Sequence, residues 1–264
     1  MNESKIVRLI GSVLISVPSL GAVGSTVPVD LSSWSVVQYE LFDQPDARWS
    51  LSAGNTVATQ SVNADASILL SDFSVSGLLI NGKWRVDTTS DDDFMGFVFG
   101  YQDRGDFYLF DWKQGNQNDP LGFAEQGMSL KVVKTGGTDP TGVDLWRSAG
   151  SSDVTVLRHN TIPWNEFTEY EFTLNFDGSG SFSITVREGA TELENWVVDD
   201  SAFLGGKFGF YNYSQGDVVY SGFTTRDDPP PVKPVPESST LVSIGALGFV
   251  ILSSRIRRRL AANS

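Results

Sequence analysis

The sequence contains no cysteine and only one histidine, His159, among 264 residues. The first absence excludes a disulfide framework, a thiol nucleophile and a cysteine-ligated zinc site. The second leaves room for a single histidine-based catalytic arrangement at most. Large exported domains fold without bridges, so the missing cysteines do not argue against export. Basic residues are scarce, 19 Lys and Arg against 32 Asp and Glu, giving a net charge of −13. Residues 1–24 carry +1 and the segment from Ser238 onward carries +4, so the stretch between them stands at −18. So acidic a stretch repels phosphate backbones and anionic lipid, which argues against nucleic acid as a partner. It attracts divalent cations.

The two ends are built differently from the middle. Lys5 and Arg8 precede an apolar stretch from Leu9 to about Val23, and the small residues Gly21, Ala22 and Gly24 follow. That order reads as a signal peptide over residues 1–25. At the other end, 227–236 is a proline-rich spacer that joins neither helix nor sheet interior. Residues 237–264 then run Glu237-Ser238-Ser239-Thr240, an apolar stretch from Leu241 to Leu252, and the basic cluster Arg255, Arg257, Arg258 and Arg259. Apolar followed by basic acts as a stop-transfer signal, with the arginines cytoplasmic and the preceding domain outside. The apolar stretch is shorter than the ~20 residues of a permanent span, so the expected insertion in the inner membrane is transient. A plain C-terminal membrane anchor is the alternative.

Between these ends, one domain of sandwich or barrel size is expected over 26–226. Tyr170-Glu171-Phe172-Thr173-Leu174-Asn175-Phe176 alternates strictly, which gives a strand one buried and one wet face. Asp177-Gly178-Ser179-Gly180 is a turn cluster joining it to Ser181–Arg187 as a hairpin. Phe97–Tyr101, Phe107–Trp112, Ser129–Val133, Lys207–Tyr213 and Val218–Phe223 also read as strands. Many short strands between Gly and Asp turns predict an all-β jelly-roll sandwich. Strand aromatics read as core, while Trp84 and Trp112, with Trp146 and Trp164, are the alternative lining of a ligand groove, since aromatic faces stack on sugar rings.

The most unusual local feature is Asp91-Asp92-Asp93 leading straight into Phe94-Met95-Gly96-Phe97-Val98-Phe99-Gly100-Tyr101-Gln102. Three consecutive carboxylates repel one another and oppose burial. A hard cation such as calcium, which takes six to eight oxygen ligands in flexible geometry, relieves both problems. A solvated acidic turn is the alternative from the tripeptide alone.

That block, with Phe107-Tyr108, Trp112-Lys113-Gln114 and Gly127-Met128-Ser129-Leu130-Lys131-Val132-Val133, resembles the central part of the thrombospondin C-terminal domain. The resemblance runs over roughly residues 45–223, through Gln60–Asp65, Gly82–Val86, Trp164–Tyr170 and Gly205–Gly209. It implies a lectin-like, concanavalin-type jelly-roll sandwich that binds calcium and mediates extracellular contacts with polysaccharide or a surface protein. Asp91, Asp92 and Asp93 are then the leading metal ligands, with Asn63 and Asp65 in the matching upstream loop. Val235-Pro236-Glu237, the apolar stretch and the terminal arginines resemble the PEP-CTERM sorting signal of Gram-negative bacteria, although Ser238 stands where that motif has its second proline. This implies recognition by an exosortase and delivery to the cell surface or an exopolysaccharide matrix, with hydrophobic helical segments at both termini.

An enzyme on the same fold, a secreted polysaccharide-active hydrolase, needs two carboxylates roughly 5–9 Å apart. Glu169 with Glu171, and Glu192 with Glu194, have the spacing to share a strand face. Neither pair sits in a Glu-x-Asp-x-x-Glu arrangement, no Gly-x-Ser-x-Gly occurs, and His159 reads as a loop residue. The expectation is therefore a binding domain with no catalytic residues.

Overall fold

The computed structural model describes residues 27–42, 44–52 and 54–227. The expected signal peptide, the spacer beyond Asp227, the sorting residues Val235, Pro236, Glu237 and Arg255 to Arg259, and both terminal helical segments lie outside them. Among the described residues, no helix is long and apolar enough to cross a membrane.

The elements in chain order are β1 (Val27–Pro28), β2 (Ser35–Gln38), β3 (Trp49–Leu51), β4 (Ala58–Gln60), β5 (Ser67–Ser74) and β6 (Leu78–Val86). They continue with β7 (Phe94–Asp103), β8 (Asp106–Lys113), β9 (Gln117–Asp119), β10 (Gly122–Ala124), β11 (Gly127–Lys134) and the helix α1 (Gly142–Trp146). The last are β12 (Val154–His159), β13 (Tyr170–Phe176), β14 (Ser181–Glu188), β15 (Thr191–Asp199), β16 (Lys207–Tyr213) and β17 (Val218–Asp227). They form two large antiparallel sheets and the small β9–β10 ribbon. The first sheet runs β15-β14-β13-β6-β17-β4-β3, with β1 beside β17; the second runs β12-β11-β8-β7-β16-β5-β2. The predicted all-β sandwich is what forms, and the β13–β14 hairpin closes on the Phe176–Phe182 pair as the turn cluster predicts.

The two sheets have different burial periods, for a physical reason. In the first, β13 and β14 alternate buried and half-buried residues, because one face meets the core and the other meets water. In the second, β7, β8, β11 and β16 are buried almost without interruption. Their inner face packs on the first sheet through Phe97, Phe110, Trp84 and Phe172, with Phe97 and Phe172 stacked at 4.7 Å. Their outer face is covered as well. Tyr39, Leu145 and Trp146, from a loop and from α1, pack on Phe94, Leu109 and Tyr213. Helix α1 holds its place through a capping box in which Thr141 and Asp144 satisfy each other's amides.

This double burial corrects the groove expectation. Trp84 and Trp112 are both 0% exposed and sit between the sheets, where Trp84 stacks on Phe172 and Trp112 meets Tyr170 edge-on. Trp146 and Trp164 are buried too. None lines a ligand groove, because large rings that alternate inward on facing strands are the filling of the sandwich. His159 is also corrected: it is the last residue of β12, with Nδ1 3.0 Å from Ser129 Oγ and Nε2 3.1 Å from Glu125.

Covering the second sheet puts two lysines indoors. Lys131 on β11 and Asp111 on β8 project from the outer face, pair at 2.6 Å and are each about 1% exposed. Burial pushes the Asp111 carboxyl up and the Lys131 charge pulls it back. We predict that Lys131→Met alone costs about 3–5 kcal/mol in urea denaturation, because it strands a buried carboxylate. Lys131→Met combined with Asp111→Leu should recover most of that loss; equal losses for single and double variants would contradict it.

Candidate functional site

Four loops meet at one end of the sandwich. The 61–66 loop enters β5, the 87–93 loop enters β7, the 114–117 turn follows β8, and the 214–217 turn joins β16 to β17. They are stitched by backbone bonds: Ser214 N–H donates to Ala64 O at 2.8 Å, Asp87 N–H to Asp217 O at 2.8 Å, and Gln114 N–H to Asp92 O at 3.0 Å. Ser214 and Asp217 both adopt positive φ, 53° and 52°, which folds the last turn tightly against the acidic stretch.

In that frame Asp91, Asp92 and Asp93 each present a carboxylate oxygen within 4.8 Å of the others. Extended geometry would send Asp92 away from its neighbours. The loop overrides it through side-chain and backbone ties. Asp92 N–H donates to Asp91 Oδ1 at 3.1 Å, and Asp93 N–H donates to Gln215 Oε1 at 2.9 Å. Trp164 Nε1–H donates to the Asp93 carbonyl at 3.3 Å. Gly115 packs close to the cluster, where a Cβ would fall 2.2 Å from Asp92 Oδ2 and push that carboxylate aside.

One buried cation already serves the cluster. Lys113, fully buried, donates from Nζ to Asp93 Oδ1, to Asp92 Oδ1 at 3.3 Å and to Gln117 Oε1 at 2.9 Å. The Phe94 and Trp146 rings each lie 5.2 Å from its Nζ and hold the ammonium in place. Three carboxylates less one ammonium leave a formal charge of −2 when all are ionised. The site responds by resisting ionisation: burial first, then the charge of Asp93, pushes the Asp91 carboxyl up to about 7. Asp93 is raised by burial as well, against the pull of Lys113. A formal charge of −2 and oxygen donors of mixed exposure fit a divalent hard cation, whose charge would offset the burial and the carboxylate repulsion that raise both groups.

Asn63 lies beside the cluster. Its Nδ2 donates to Asp91 Oδ2, and its Oδ1 accepts from Ser214 Oγ at 3.3 Å. Asp65 does not. Its buried Oδ2 accepts the amides of Leu41 and Phe42 at 3.1 and 3.0 Å, so it holds down the segment that covers the second sheet. The reason is register: Asp65 sits two residues on from Asn63, past the point where the chain turns into β5. Lys113, Ser214 and Gln215 were not foreseen as site residues. The available signal was Lys113 itself, a basic residue at the end of the aromatic-rich β8.

The carboxylates weighed for hydrolysis are engaged. Glu169 and Glu171 both contact Lys83 Nζ at 2.8 Å. Glu192 pairs with Arg187, and Glu194 accepts from Asn160 Nδ2 at 2.7 Å.

Comparison with known proteins places the chain in a family. Residues 44–227 match the family model described as the thrombospondin C-terminal region. Thrombospondin-3b of Danio rerio is 31% identical over 201 residues, 71% of this chain and 22% of its own length. Cartilage oligomeric matrix protein of Rattus norvegicus is 30% identical over 195 residues, 69% of this chain and 26% of its own. The chain thus spans about a quarter of the length of these relatives. Among solved structures, the exoplasmic/lumenal domain of VIP36 in its Ca²⁺/Man3GlcNAc-bound form is similar with a TM-score of 0.46 and 9% identity, over 74% of this chain and 88% of that one.

The raised Asp91 value sets the sign of a pH effect. Without divalent ions, the unfolded chain loses this proton near 3.8 and the folded chain only near 7, so raising the pH between them favours unfolding. We predict that in chelator Asp91→Asn is more stable than the parent at pH 7.5, by roughly 1–2 kcal/mol after discounting for solvent screening at a partly exposed loop. The advantage should vanish at pH 4. A variant less stable than the parent at both pH values in chelator would contradict the crowding.

Proposed function

The chain belongs to the thrombospondin C-terminal family, and from that premise we propose that it is an exported, calcium-binding adhesion or matrix protein. The observation that carries the reading is the acidic end, where three carboxylates gather around one buried lysine and leave a formal charge of −2 when all are ionised. Asp91, Asp92 and Asp93 would hold the ion, with Asn63 beside them. Bound calcium supplies the positive charge that lets the four loops close without repulsion. The chain's own residues do the rest. Lys113 anchors Asp93 to β8, Gln215 and Trp164 fix its backbone, and Asn63 ties the upstream loop to Asp91.

In this reading the ligand is a surface or matrix polysaccharide or an extracellular surface protein. Delivery follows the sorting route inferred from the C-terminal residues, through the inner membrane and an exosortase to the surface or exopolysaccharide of a Gram-negative cell. The domain acts by binding. Support for a non-enzymatic role comes from the pairing of Glu169 and Glu171 on one ammonium and of Glu192 on Arg187, which leaves these carboxylates in structural contacts.

Two measurements test this. Asp91→Ala combined with Asp92→Ala should lower the melting temperature in calcium to near the value of the parent in chelator; a parent whose melting curve ignores chelator would refute calcium binding. In a reducing-sugar assay on polysaccharides, no release is expected. Release that disappears with Glu169→Gln or Glu171→Gln would establish the hydrolase instead.

A further inference from the structure

The outer face of the first sheet carries two adjacent rows of side chains that run across the strands. One row is Thr224 on β17, Asn81 on β6, Thr173 on β13 and Thr185 on β14, each the direct cross-strand partner of the next. The register extends it to Asn195 on β15. Every member is a hydroxyl or an amide. The row is internally linked: Thr173 Oγ1 donates to Asn81 Oδ1 at 2.9 Å, and Asn81 Nδ2 donates to Thr224 Oγ1 at 3.5 Å.

Two residues along β6, β13 and β14, and three along β15 where the register shifts, lies the second row, Lys83, Glu171, Arg187 and Glu192, again direct partners in sequence. Its signs alternate and cancel. Lys83 contacts Glu171 at 2.8 Å, and Arg187 pairs with Glu192. A depression of about 290 Å³ lies along these rows, lined by Asn81, Lys83, Thr173, Thr185, Arg187 and Thr224 among others. Gly222 opens it. This residue sits in the register break of β17 at φ +61°, and a Cβ there would stand 3.3 Å from the Lys83 stem. A side chain at that point would fill the trough.

We infer that this trough binds a short segment of a neutral polysaccharide, independently of calcium. The inference rests on the reading of the domain as a glycan binder and locates the contact away from the acidic end. The chemistry selects the ligand. Hydroxyl and amide groups offer paired donors and acceptors, which match the hydroxyls of a sugar ring. The flanking charges largely compensate, Lys83 against Glu171 and Glu169 and Arg187 against Glu192, and the one excess carboxylate joins the strongly acidic remainder of the domain in repelling anions, which favours a neutral chain. Three strand spacings from β17 to β14 make the trough about 14 Å long, the reach of an extended oligosaccharide stretch and not of a single small metabolite. No exposed aromatic ring lines it, so affinity comes from hydrogen bonds and is modest per site.

Affinity electrophoresis of the full chain through gels containing dextran, xylan, galactomannan or alginate tests this, each with calcium and with chelator. We expect retardation by at least one neutral polymer in both conditions. Thr173→Val combined with Thr185→Val, which keeps strand-forming shapes, should weaken it at least tenfold with the melting temperature unchanged. Thr173→Ser should bind as the parent does. If the parent is retarded and the double-valine chain equally so, the trough assignment is wrong while glycan binding stands. If Asp91→Ala with Asp92→Ala, or chelator, abolishes retardation, the acidic end is the contact and the trough is not. Retardation by alginate alone would overturn the neutral-ligand chemistry, and no retardation by any polymer would overturn the glycan reading itself.

Discussion

The structure turns on a charge imbalance at one end of the sandwich: three carboxylates gathered within 4.8 Å are answered by a single buried ammonium, that of Lys113. Everything around them exists to hold this arrangement against repulsion. Lys113 is buried because the outer face of its sheet is covered. That cover depends on Asp65 tying down the Leu41–Phe42 segment and on the capping box that starts α1. Removing water raises the cost of every unpaired charge in the cluster, which is why Asp91 and Asp93 resist ionisation. A divalent cation is the complement of such a site, and it would add to the backbone and side-chain bonds that already join the four loops.

The two sheets divide the work. The second, buried on both sides, is a rigid slab of stacked rings and internal ion pairs that carries the acidic cluster at the end of its strands. The first keeps one face open to water, and its polar rows have room for a ligand. A packed core that presents loops at one end and a hydrophilic sheet face suits the binding role proposed above.

Much of this was legible in the residues. The alternation of Tyr170–Phe176 sets both its strand and its buried face, and Asp177–Gly180 locates the hairpin turn. The acidic tripeptide stands out because three consecutive carboxylates repel one another and oppose burial just where an apolar strand begins. What escaped was what depends on the second layer of packing. Trp84 and Trp112 have the ring chemistry of a sugar platform, and only the facing sheet reveals them as core. Lys113 and Lys131 look like ordinary solvent-facing charges on β8 and β11 until the loops that cover them are in place. His159 passes for a loop residue because Asn160 follows it, yet cross-strand pairing with Ser129 draws it into β12. Asp65, two residues from Asn63, shares its composition signal but not its direction. Glu192 and Arg187 become partners only through the β14–β15 register, which no local motif announces.

The most direct test of the account is the electron density at the acidic end in crystals of the chain grown with calcium. The account predicts a peak bridging Asp91, Asp92 and Asp93, about 2.3–2.6 Å from their oxygens, with Lys113 still on Asp93. Carboxylates splayed into solvent around no ion, with the loops unchanged, would contradict it.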